Sequence, residues 1–133
     1  MKKIIISISI IYSGFLALGQ SNIDKNLTEN NSVTNQLLQG KWQAVDDKKN
    51  FLVFDKNERK ETGDGSNWDS EKYVLSNKCV NESDKENGIE PEKDKYISCV
   101  ESDLCWYIVS INKDFLTLSY MGRGNLLNYK RVK

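Results

Sequence analysis

From Gly40 to the C-terminus no stretch keeps a helical period for as long as about ten residues. Short runs of Val, Ile, Leu, Phe, Tyr and Trp alternate instead with clusters of Asn, Asp, Gly and Lys. This pattern predicts strands at 41–45, 51–55, 58–62, 72–76, 96–100, 106–111, 115–120 and 126–131. The turns are legible too. Asp46-Asp47-Lys48-Lys49-Asn50 is one, Asn112-Lys113-Asp114 reads as a tight hairpin, and Met121-Gly122-Arg123-Gly124-Asn125 supplies two glycines for positive φ. Many short strands with short connections argue an all-β antiparallel meander. Closing about eight of them gives a small up-and-down barrel whose interior just fills with side chains or holds one small ligand.

Alternation assigns faces. Leu116, Leu118 and Tyr120 share one side of their strand, and Leu127, Tyr129 and Arg131 share one side of theirs. Trp106, Ile108 and Ser110 oppose Tyr107, Val109 and Ile111. One mainly apolar face and one mixed face suit a sheet wrapped around a core.

The N-terminus has a different character. Lys2 and Lys3 precede the apolar run Ile4 to Tyr12, and Ala17-Leu18-Gly19 supplies a small-x-small exit before Gln20. This is the pattern of a cleavable secretory signal over 1–19, too short and too interrupted by serines to span a bilayer. No cysteine sits at the exit to carry a lipid. Residues 20–36 read as a flexible polar segment, with a short helical turn over 32–39 in which Thr34 is the candidate cap, Leu37 and Leu38 the buried contacts and Gly40 the stop. The expected product is a single secreted or periplasmic domain over 37–133, monomeric and without membrane insertion. Loss of Lys2 and Lys3 leaves 17 basic against 19 acidic residues, so no positive excess is available for nucleic acid.

An oxidising compartment makes a disulfide the default for Cys79, Cys99 and Cys105. Residues 80–95 are charged, carry the only proline and lack apolar core residues, so they read as a solvated acidic loop. A bridge across this loop gains most from closure. Cys79–Cys105 is preferred because Cys105 abuts the strongest strand; Cys79–Cys99 is the alternative. No metal site is expected: three cysteines without histidine, two of them in a C-x5-C spacing, do not make a zinc set. The acids do not follow calcium-loop spacing.

The absence of histidine excludes Ser-His-Asp and Cys-His catalysis. No phosphate loop or dinucleotide fingerprint occurs. No catalytic residue and no cofactor is therefore expected. Candidate contacts for a small hydrophobic ligand are Trp68, Tyr73, Tyr107 and Tyr120, with Trp68 also a candidate contact for a protein partner.

Gly40-Lys41-Trp42 opens the first strand after the helical turn, and the chain closes on Tyr129-Lys130-Arg131. This resembles the lipocalin pattern of a G-x-W on the first strand and a basic residue on the last strand packing over the tryptophan. The stretch from Leu116 to Asn125, followed by Leu127 and Tyr129, is similar to small lipocalin-like proteins secreted by Bacteroidetes-type bacteria. The likeness covers 37–133. It implies a barrel closed by Gly40, Trp42 and Arg131, and a small hydrophobic or amphipathic ligand in its mouth, or, with a filled interior, loops that bind or inhibit a partner protein.

Overall fold

The computed structural model describes residues 32–63, 68–87 and 90–133. The expected signal segment and residues 20–31 of the polar segment lie outside them. A short helix, α1 (Val33–Leu38), precedes nine strands: β1 (Gly40–Ala44), β2 (Phe51–Asp55), β3 (Glu58–Thr62), β4 (Asp69–Lys72), β5 (Val74–Ser76), β6 (Tyr96–Cys99), β7 (Leu104–Ile111), β8 (Phe115–Tyr120) and β9 (Leu126–Arg131). Ser32 caps α1 by accepting from the Asn35 amide at 3.1 Å, so the cap stands two residues before Thr34 and the last residues of the polar segment are helical.

The strands form one sheet in the order β4-β3-β2-β1-β9-β8-β7-β6-β5, every neighbouring pair antiparallel. Its two ends, β4 and β5, are separated in the chain by Tyr73 alone, so the sheet makes a nearly closed up-and-down barrel. About eight strands are expected from the sequence, and the structure has nine among the described residues. The segment expected as one strand over 72–76 is instead two, because it changes partner partway. β4 bonds to β3 (Glu58↔Lys72) and β5 to β6 (Val74↔Ser98). At the changeover the Tyr73 amide donates to the Asn57 carbonyl at 2.9 Å.

One end of the barrel is sealed. Leu38, Trp42, Leu52, Phe54, Ile108, Leu116 and Leu118 are buried in one apolar cluster. Trp42 Nε1 donates to the Leu38 carbonyl at 2.9 Å. The register pairs Trp42 with Arg131, whose guanidinium carbon lies 4.1 Å from the indole centroid. Arg131 also donates to the carbonyls of Leu37, Gln39 and Lys113, tying α1 and the β7–β8 turn to the seam. Gly40 has φ +118°, and a Cβ there would stand 2.6 Å from Arg131 Nη1. A side chain there would take a strained backbone and displace the guanidinium.

β7 carries a bulge between Ile108 and Ser110. Past it the alternation shifts by one, so Ile111 packs on the core and pairs with Leu116, while Val109 stays exposed. On the outer side of β6 and β7 a second cluster joins Cys79, Tyr96 and Cys105, with Tyr107 and Met121 against it. Cys79 and Cys105 form the disulfide, with Cα atoms 6.0 Å apart. The alternative Cys79–Cys99 pair is not formed, because Cys99 belongs to the interior cluster and Cys79 to the outer one. The acidic loop is docked more firmly than its composition implies. Asn81 and Asp84 are buried, and Asp103 in the β6–β7 turn accepts from Asn81 Nδ2 and from both the amide and the hydroxyl of Ser83. Those hydrogen bonds from Ser83 hold the Asp103 carboxyl below its ordinary range. Among the described residues no helix is long and apolar enough to cross a membrane.

Candidate functional site

The four aromatic residues expected to contact a ligand are spread over different parts of the barrel. Tyr73 lies at the sealed end, edge-on to Phe54 with centroids 5.2 Å apart. Its hydroxyl accepts from Gln39 Nε2 at 3.0 Å and lies 2.5 Å from Asn35 Oδ1 and 3.0 Å from the Lys56 carbonyl. Burial pushes its pKa up to about 12. Tyr107 is on the outer side, where its hydroxyl donates to Glu92 at 3.0 Å; that bond and burial raise its pKa. Trp68 is 42% exposed and lines an open groove of about 580 Å³ with Val53, Glu58, Lys60 and Ser70. Only Tyr120 faces the interior at the end opposite α1, with its ring 6.0 Å from that of Trp106.

That opposite end is built differently from the sealed one. Ala44, Leu104, Tyr120 and Leu127 stand beside the β1–β2, β6–β7 and β8–β9 turns. All four pack on the interior cluster yet remain partly exposed. Below them the interior is charged. Phe54 pairs with Arg59 and Arg59 with Glu71 across β2, β3 and β4, which carries the inward face of β2 onto these two residues. Arg59 is only 6% exposed. Its guanidinium carbon lies 4.0 Å from the Trp106 centroid, and Nη1 pairs with Glu61 Oε1 at 3.2 Å. Its buried Nε has no hydrogen-bond partner among the described residues. Glu71 Oε2 accepts from the Ser102 amide at 3.2 Å, and no cation stands within ion-pair distance of it among the described residues.

The neighbouring groups register this charge. Burial raises the Cys99 thiol to about 11, with Arg59 opposing the shift and Glu71 and Glu61 reinforcing it. Burial raises Tyr129 to about 12, with Arg59 again opposing. Cys99 is thus protonated at neutral pH and is not an activated nucleophile. One guanidinium and two carboxylates give the region a formal charge of −1. The arrangement is an apolar rim over a floor that offers, among the described residues, one guanidinium N–H without an acceptor and one carboxylate without a cation. It can hold a polar head while the rim covers an apolar body.

Arg59, Glu61 and Glu71 were not among the expected site residues. The signal for them is the polarity of β3 itself. Glu58-Arg59-Lys60-Glu61-Thr62 is polar on both faces, so a ring that includes this strand has to bring charge inside. No protein-family model, curated protein or solved structure matches this chain.

Proposed function

We propose that this protein is an extracytoplasmic, lipocalin-like binding protein that holds a small amphipathic ligand in the open end of its barrel, without catalysis. The N-terminal signal pattern and the disulfide support the compartment. The sheet order, Gly40-Lys41-Trp42 and the stacking of Arg131 on Trp42 support the family likeness. The observation that carries the binding reading is Arg59. A buried N–H left without a hydrogen bond costs about 1–3 kcal/mol, and neither the ion pair to Glu61 nor the stacking on Trp106 satisfies the Arg59 Nε–H. A bound head group offsets that cost.

Native mass spectrometry of protein purified from its own host tests the reading. The wild type is expected to carry a small molecule that Leu127→Trp, which fills the rim, does not. Clean apo protein in both overturns it. The Trp68 groove then supports the second reading, a protein-binding module. Lys41 lies over both Phe51 and Trp68 on this outer face. In that case Trp68→Ala weakens partner capture and leaves the melting temperature unchanged.

A further inference from the structure

We infer that the ligand of the open end is a small zwitterion with an apolar side chain, of the α-amino acid class, whose carboxylate meets the Arg59 Nε edge and whose ammonium meets Glu71. The inference rests on the binding reading above and adds the chemistry of the head group. Two unmet demands stand side by side in the register. Arg59 has a buried Nε–H with no acceptor among the described residues. Glu71, its cross-strand partner, carries a carboxylate that among the described residues accepts one hydrogen bond, from the Ser102 amide.

A simple anion satisfies Arg59 but meets both Glu61 and Glu71. A simple cation satisfies Glu71 but leaves Nε bare. A group with an acceptor and an ammonium a bond or two apart satisfies both without changing the net charge of the region. The apolar part follows from packing. Trp42, Leu52, Phe54, Ile108, Leu116 and Leu118 are buried below, and the partly exposed Ala44, Leu104, Tyr120 and Leu127 are the apolar surface against which a ligand's side chain would pack.

Three probes separate the two halves of the head: L-phenylalanine, 3-phenylpropionate, which lacks the ammonium, and 2-phenylethylamine, which lacks the carboxylate. Calorimetric titration of the intact, disulfide-bonded domain should show phenylalanine binding at least about tenfold more tightly than either analogue, as expected when a buried polar group loses its partner. Arg59→Met should reduce phenylalanine to the affinity of phenylethylamine, and Glu71→Gln to that of phenylpropionate. If Arg59→Met does not fold, Arg59→Lys keeps the charge, loses the Nε–H edge and should weaken phenylalanine binding in the same direction. Equal affinity for phenylalanine and either analogue overturns the inference, as does a preference that survives both substitutions. The neutral fluorophore 1-aminoanthracene distinguishes the two levels. If it binds and phenylalanine does not displace it, the zwitterion is wrong and the open-end site stands. If it also fails to bind, both readings fall.

Discussion

Gly40 and Arg131 show how two residues far apart in the chain depend on one contact. The glycine sits at φ +118° with its missing Cβ directed at the guanidinium. The guanidinium in turn lies over Trp42 and donates to carbonyls of α1 and the β7–β8 turn. Gly40→Ala introduces a strained backbone worth about 1–3 kcal/mol and pushes the guanidinium off its acceptors. Arg131→Met removes the charge-assisted bonds and the stacking, and is expected to cost about 2–3 kcal/mol. Part of the alanine's effect is displacement of Arg131, so the double variant should be more stable than the sum of the two losses predicts, by about 1 kcal/mol. Urea denaturation of the four proteins of the cycle measures this coupling. Additivity within about 0.3 kcal/mol would mean that the two residues act independently.

At the scale of elements, strands with clean alternation and turn residues on both sides were readable, and those shaped by their partners were not. The bounds expected for β2, β3, β8 and β9 match the structure. Asp69-Ser70-Glu71-Lys72 has no apolar alternation, so β4 emerges only through pairing with β3. The acidic loop reads as solvated because its anchors are polar contacts across long sequence separations, such as Asn81 to Asp103. The bulge in β7 is the sharpest case. Simple alternation puts Val109 and Ile111 on one face, whereas the shift at Ile108/Ser110 turns Ile111 inward. Ile111→Asp is therefore expected to destabilise by about 2–3 kcal/mol, and Val109→Asp by no more than about 0.5 kcal/mol. Comparable losses for the two in chemical denaturation would place both side chains on the same face and remove the bulge.

The whole molecule is a ring with unlike ends, and this decides how much of the site was legible. Composition and periodicity indicate that a ring forms. Which side of it each aromatic residue occupies depends on closure, so Tyr107 and Trp68 fall outside while Arg59 and Glu71 fall within. Two interior phenols turn this inside–outside division into a measurable quantity. Tyr73 at the sealed end and Tyr129 beside the charged region are both raised to about 12, with burial the largest cause in each. The unfolded value is about 10. Because the folded values lie above it, these groups contribute stability that is complete below about pH 10 and is lost as pH rises toward about 12. Stability should therefore fall across that window. Tyr129→Phe and Tyr73→Phe should each flatten the decline. Tyr73→Phe alone should also cost about 1 kcal/mol at neutral pH, since it breaks the hydroxyl contacts joining α1, the β2–β3 turn and the bent β4–β5 segment. Arg59→Met should move Tyr129 ionisation higher still and leave Tyr73 where it is, because of these two phenols only Tyr129 has Arg59 opposing its shift. Tyrosinate absorbance and denaturant unfolding, followed together in the alkaline range, check all of this. Ordinary midpoints near pH 10 for both phenols in the still-folded protein would mean that water reaches the interior freely, and an interior charge on Arg59 would no longer point to a ligand.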